Sequence, residues 1–312
     1  MSQIARVIQD GATTKPKRST IWFLRNWAGR ILIVLVVGLA TALLNNNYSF
    51  RRTSREAFDL RVDSAIDNTL NWIRDHALTA ETNEALVYMI ADMERMNDDR
   101  RLRAVLDDFQ TNPKILNPFL PLDRVWPRIV DPNASVPTIS AAELRGWGFE
   151  LRWDAHAMAP HQIQLSEEDR ADMFSPTKYS WGKRDHQLLA LEMYRHFNGS
   201  SDELDRTINH LSEKVAFDAH WDIRITDFYF QRSAFVLGAG RPDLIRRRWI
   251  ERILEHQLPD GSWNCCWYGW CRGIFEFDLK GTECHGHSTI QAAWALYMLK
   301  YRYHSWIEQH YP

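Results

Sequence analysis

The sequence predicts an all-α protein, in which one apolar N-terminal helix is followed by a domain of helical hairpins. Three observations carry that expectation. Ile31 to Leu44 reads ILIVLVVGLATALL without a charge. Apolar residues after Ser54 recur at three- and four-residue steps. No segment shows a period-two alternation strong enough to form a sheet.

The apolar run is extended by IWFLRNWAG to roughly the twenty residues that a tilted span needs. Arg25 and Arg30 can snorkel to the headgroups, and Trp22 and Trp27 have the character of interfacial aromatics. The span therefore enters near Trp27 and leaves near Asn45 to Asn47. A long charged lead and the lack of a small-residue cleavage site favour an uncleaved anchor over a signal peptide. Lys15, Lys17, Arg18, Arg25 and Arg30 precede the run, against Arg51, Arg52 and Arg55 after it. That balance predicts a cytoplasmic N-terminus and a domain in the periplasm, lumen or extracellular space. The sequons at Asn47, Asn133 and Asn198 matter only in a eukaryote.

The expected organisation is a cytoplasmic tail (1–20), the transmembrane anchor (21–46), an N-terminal helical hairpin (47–111), a Pro-rich irregular crossing or lid (112–180) and further hairpins (181–312). In the first hairpin, Phe58, Val62, Ala65, Ile66, Leu70 and Ile73 form one stripe, and Leu86, Met89, Ile90 and Met93 a second. Six of the twelve prolines lie between Asn112 and Pro137, which forbids a long helix there. Helical periodicity returns at Asp185, and a polar NGSSDE turn leads into a helix through Leu204, Ile208 and Leu211.

Thr226 to Leu237 is apolar almost all round, as a helix enclosed by other helices must be. Pro242 then opens an amphipathic helix that puts Ile245, Trp249 and Ile253 on one face and Arg246, Arg247 and Arg248 toward solvent. The last helix carries Ile290, Ala293, Trp294, Tyr297 and Tyr301 on one stripe. An inner helix paired with an outer one is the recurring unit.

Fourteen tryptophans serve either as core filling or as the walls of a cavity that stacks on a sugar ring or an apolar chain. A formal charge of −2 and 25% charged residues give no basic excess, which argues against nucleic acid as a partner.

The string WIERILEHQLPDGSW, ending in Gln257 to Trp263, resembles the Gln-Trp repeat of squalene and oxidosqualene cyclases, whose outer helix ends in Gln and Asp-Gly-x-Trp before the next inner helix. Protein prenyltransferases and other α/α-toroid proteins share related hairpins. The resemblance implies an α/α-toroid-like barrel, incomplete relative to six hairpins. It also implies structural parts for Gln257 at a helix end, for Asp260-Gly261 as the turn and for Trp263 packed over it. The acidic Asp-x-Asp-Asp motif of the cyclases is absent, which argues against terpene cyclisation.

Two groups of residues carry chemistry. Asp222, Asp227, Tyr229 and Gln231 sit near the start of one presumed inner helix, and Asp185 and His186 at the start of another. In α/α toroids the N-terminal ends of inner helices open on the cavity, so Asp222 and Asp227 are candidates for a general acid and base acting on a glycan or lipid-linked substrate. As the alternative, these acids cap helices and pair with Arg224 or Arg232.

The four cysteines, Cys265, Cys266, Cys271 and Cys284, fall within twenty residues, with His285 and His287 beside the last. In an oxidising compartment two disulfides are expected, with Cys265 and Cys266 pairing with Cys271 and Cys284. The alternative is zinc held by Cys271, Cys284 and His285 with one position open. Trp270-Cys271-Arg272-Gly273 and Cys284-His285-Gly286 are similar to the zinc-binding strings of lanthipeptide cyclases, which implies a zinc-dependent transferase or cyclase. A third reading is a binding or assembly module of a membrane complex. His156 and His161 lie in a polar stretch and read as surface residues.

Overall fold

The computed structural model describes residues 18–77, 83–111, 125, 127–179, 182–264, 266–269, 276–278 and 286–312. Side chains are described from Trp27 onward, apart from Glu84 and the strands at 266–269 and 276–278. The chain divides into two compact units, Met1–Ala42 and Leu43–Pro312.

Helix α1 (Arg18–Asn47) supplies the described part of the first unit and continues into the second. Its Trp27–Asn47 stretch, 21 residues with a mean hydropathy of 2.2, is long and apolar enough to cross a membrane. Ile31 through Val37 expose their side chains. In water such a surface is unfavourable, and in hydrocarbon it is matched.

The second unit is all-α apart from one small sheet. In chain order come α2 (Arg55–His76), α3 (Glu84–Asn97), α4 (Arg100–Thr111), α5 (Pro127–Val130), α6 (Ala141–Leu144), α7 (Phe149–Met158), α8 (Glu167–Phe174), α9 (Gly182–Asn198) and α10 (Asp202–Trp221). Then follow β1 (Ile225–Thr226), α11 (Asp227–Gly238), α12 (Arg247–Glu255), β2 (Cys266–Gly269), β3 (Glu276–Asp278), α13 (Gly286–Tyr297) and α14 (His304–His310). The strands pair antiparallel in the order β1-β2-β3. This sheet was not expected from the pattern, because strands of two to four residues are too short to show a period.

Five helices form the interior, and their contacts close on themselves: α7 packs on α9, α9 on α11, α11 on α13, α13 on α3 and α3 on α7. They run in one sense. Asp227 at the start of α11 meets Ser288 at the start of α13, while Gly238 at the end of α11 meets Trp294 two turns further along α13. Phe149 of α7 lies by His186 of α9, and His156 by Tyr194. These inner helices are buried nearly all round.

The other long helices bury a single stripe. Helix α2 buries Phe58, Val62, Ile66, Leu70 and Ile73, and α4 buries Leu102, Val105, Leu106 and Phe109. Ser54 caps α2 by accepting the Ala57 amide, and Asn83 caps α3 by accepting that of Leu86.

Three expectations are corrected. The 112–180 stretch is not irregular throughout, since its described part carries α5 to α8, and α7 belongs to the interior. Pro127 opens α5, Pro132 and Pro137 lie between α5 and α6, and Pro113, Pro118 and Pro121 lie outside the described residues. His156 is buried, with Nδ1 2.7 Å from the Ile163 carbonyl, because α7 places it toward α9. Arg248 does not lean into solvent, because it makes a bidentate pair with Glu255 and donates to the Asn45 carbonyl.

The QLPDGSW turn acts as structure. Gln257 Nε2 donates to the Ala65 carbonyl, the Thr69 hydroxyl and the Gly261 carbonyl. Asp260 accepts from the Ser262 amide, and Trp263 Nε1 donates to the Ile253 carbonyl at 2.7 Å. Gly261 has φ +91°, and a Cβ there would lie 2.4 Å from the Asn68 carbonyl oxygen. Gly261→Ala is expected to cost about 2 kcal/mol or more. Gly146→Ala, where a Cβ meets nothing within 4 Å, is expected to stay within about 1 kcal/mol. Urea midpoints of the two variants check the contrast.

Candidate functional site at the N-terminal ends of the inner helices

Each inner helix presents its first turn to the same end of the ring, and polar side chains gather there from four of them. Asn83 caps α3, His186 lies in the first turns of α9, Asp227 opens α11, and His287 and Ser288 open α13. Two cross-helix hydrogen bonds join them. The Ser288 hydroxyl donates to Asp227 Oδ1 at 3.3 Å, and Asn83 Nδ2 lies 3.0 Å from His287 Nε2.

The second bond fixes a tautomer. Asn83 Oδ1 is committed to the Leu86 amide, so its Nδ2 faces the imidazole as donor. His287 Nε2 therefore accepts, and in the neutral ring the proton sits on Nδ1. Burial, with the His287 charge second, lowers the pKa of His186 to about 4, so this imidazole is neutral at physiological pH. Asp227, His186, His287 and Asn83 are all partly exposed.

Aromatic side chains border this end. Phe228 covers Gly182, where a Cβ would lie 2.3 Å from the ring. Lys183 Nζ sits 4.3 Å from the centre of the Phe149 ring and 4.1 Å from that of Tyr179. Strand β1 ends at the residue before Asp227, and Thr226 pairs in register with Cys266. The backbone of the cysteine-rich segment is thereby anchored one residue from Asp227.

The other expected site residues lie beneath this layer. Arg232, 1% exposed, donates to Asp222 at 2.7 Å and to Asp185 at 3.2 Å. Asp222 also takes a two-pronged contact from Arg224, at 2.7 Å to each oxygen. Burial works to raise the Asp222 carboxyl, but the Arg224 hydrogen bond and the two guanidinium charges outweigh it and hold it below its ordinary value. Burial pushes Asp185 up to about 7 despite Arg232. Both acids act as partners for buried arginine, the alternative that the nearby Arg224 and Arg232 had suggested. Tyr229 is buried with its ring 5.2 Å from the Arg252 guanidinium, and Gln231 is buried in α11.

A further polar group, missed from the sequence, fills the middle of the ring. The Tyr88 hydroxyl donates to the Glu192 carboxyl, 2.9 Å from each oxygen, and joins α3 to α9. Asp92 accepts from Trp294 Nε1 at 2.7 Å and from Arg302, which a π-helical turn (Met298–Arg302) carries into reach. Burial, aided by the Asp92 charge, pushes Glu192 up to about 8. The only advance sign was polar residues inside otherwise apolar stripes.

Of the metal and disulfide residues, Cys265, Cys271, Cys284 and His285 lie outside the described residues, and Cys266 contributes only its backbone. Among the described residues no three His, Cys, Asp or Glu side chains group as metal ligands. A separate open groove of about 650 Å³ lies at the far end of α9, lined in part by Arg170, Phe174, Tyr194, Asn198 and Glu203. No family model, curated protein or solved structure matches the chain.

Asp222→Asn removes a charge that compensates buried Arg232, and its expected cost is about 3 kcal/mol or more, read from the urea midpoint. Glu192 holds its proton more tightly folded (about 8) than unfolded (about 4.5). Its stabilising contribution is therefore full below about 4.5 and lost as pH rises toward 8, with a slope of at most about 1.4 kcal/mol per pH unit. Glu192→Gln is expected to flatten that decline, measured as unfolding free energy across the pH series.

Proposed function

We propose that the chain is a membrane-anchored, α/α-toroid-like enzyme. It acts on a glycan or lipid-linked substrate by acid/base catalysis at the N-terminal ends of its inner helices. The anchor is Trp27–Asn47, with the N-terminus cytoplasmic and the domain exported. The observation that carries the reading is the pair of cross-helix hydrogen bonds, Ser288 to Asp227 and Asn83 to His287, with His186 alongside. Side chains from four helices meet at one partly exposed spot, as a catalytic constellation requires. The closed circuit of inner helices supports the toroid-like reading. An incomplete toroid of five inner helices accommodates it.

Asp227 is the acid/base carboxyl in this reading. Neutral His186 can accept a proton from a substrate hydroxyl or an attacking water, and the Nδ1–H of His287, whose Nε2 is held by Asn83, can donate a hydrogen bond to a leaving oxygen. Asp222 and Asp185 act through Arg232 and hold the first turns of α9 and α11 in place. Phe149, Tyr179 and Phe228 offer faces on which a sugar ring stacks.

The test measures turnover of a panel of glycosides and polyprenyl-linked sugars by the wild-type full chain and its Asp227→Asn and His186→Gln variants. Each substitution is expected to lower turnover by roughly 10²- to 10⁴-fold while the urea midpoint moves little. Unchanged turnover in both variants with the fold intact overturns the proposal.

A further inference from the structure

The last turn of α1, from Leu43 to Asn47, belongs to the C-terminal unit, and three consecutive asparagines tie it down. Asn46 Nδ2 donates to the Ala219 carbonyl at 3.1 Å, and Asn47 Nδ2 to the His220 carbonyl at 2.9 Å. Asn46 Oδ1 accepts from Arg252 and Asn47 Oδ1 from Trp249 Nε1. Asn45 accepts from Arg248 through its carbonyl and its side-chain oxygen. The point where the apolar stretch ends is thus fixed against the C-terminal turn of α10.

That turn carries large apolar side chains that face outward. Phe217 is 61% exposed and Trp221 52%, with their ring centres 6.3 Å apart. Tyr48 and Phe50, the first aromatics after the apolar stretch, are 52% and 78% exposed. Basic groups lie beside them. The Arg246 guanidinium lies 5.8 Å from the Tyr48 ring and its charge helps lower the His220 pKa after burial, and exposed Arg52 follows Arg51, which pairs with Glu255. Single exposed apolar residues are common and need no explanation. Here a Trp, a Tyr and a Phe share a small area with arginine, the composition of an interfacial belt.

We infer that Tyr48, Phe50, Phe217 and Trp221, with Arg246 and Arg52, form a surface that seats the domain in the headgroup layer of the leaflet from which α1 emerges. The inference rests on the reading of Trp27–Asn47 as a span, and continuity with that span is what selects lipid over another occupant. Trp221 follows the residue whose carbonyl holds Asn47, which puts it on the order of 10 Å from the end of the apolar stretch. The headgroup layer adds about 5–7 Å beyond the hydrocarbon on each side, so Tyr48, directly after the apolar stretch, lies within it and Trp221 at its outer margin. Arginine beside them favours an anionic surface, since each basic group near such a surface adds attraction. A lipid-linked substrate would then be presented to a domain that is already resting on the bilayer.

The test places the photoreactive residue p-benzoylphenylalanine at Phe217, at Trp221 and, as control, at Glu203. The control sits on the same helix, 14 residues away and therefore about 21 Å from Phe217. The full chain is reconstituted in phosphatidylcholine/phosphatidylglycerol vesicles, irradiated and examined by mass spectrometry. Resistance to alkaline extraction is measured on the same samples. Phospholipid adducts at 217 and 221, at least five-fold above the control and stronger when phosphatidylglycerol is present, are expected. A chain that resists extraction but gives no adduct, adducts equal to the control, or adducts to a second copy of the chain overturns the surface while the anchor stands. A chain extracted at alkaline pH overturns the anchor reading itself, and the inference with it.

Discussion

The guanidinium of Arg232 is the group on which the arrangement of the candidate site depends. It is 1% exposed and sits one turn into α11, holding Asp185 at the start of α9 and Asp222 in the segment that follows α10. A buried cation without partners would cost far more than any single apolar contact returns, so the two carboxylates are required where they are. Their placement sets the relative height of α9 and α11, and with it the height of His186 and Asp227. Arg224 then grips Asp222 from the outside and keeps that acid ionised in a buried place. The charges that look most like catalysts in the sequence serve as the frame for those that face outward.

The inner ring solves a second problem at its middle. Five helices packed in a circuit enclose a space that apolar side chains fill only in part, and polar groups that enter must find one another. Tyr88 with Glu192, and Asp92 with Trp294 and Arg302, do so across the ring. Each bond spans helices distant in sequence, so the network forms only when the circuit closes. The raised Glu192 carboxyl is the electrostatic mark of that closure, since burial removes the water that would otherwise support its charge. Helix packing and polar pairing therefore enforce the same geometry.

At the other margin of the domain, three asparagines tie the last turn of α1, itself part of the C-terminal unit, to α10 and α12. The Asn45 backbone carbonyl accepts from Arg248, and the last bond of the helix runs from the Tyr48 amide to the Leu44 carbonyl. The occupied side chains of Asn47 and Asn198 leave those two sequons engaged in structure.

Much of this fold was legible in the sequence because it depends on period. The apolar run, the stripe of α2 and the all-round burial of α11 follow from helix geometry and composition, and so does the Gln257 to Trp263 turn, whose glycine needs a positive φ. Sequence also placed Asp227 and His186 among the residues worth attention. It did not separate them from Asp222 and Asp185, because all four are acids or imidazoles near helix starts and only a partner decides their part. That partner, Arg232, lies 10 residues from Asp222 and 47 from Asp185. Asn83 and Ser288 escaped notice, and His287 was grouped only with the cysteines, for the same reason, since their neighbours come from other helices. Local pattern is set by bonds along the chain, and so the sequence alone determined the strongly periodic helices and their apolar stripes. Which polar groups meet is set by distances across the ring, and only the tertiary structure decided that.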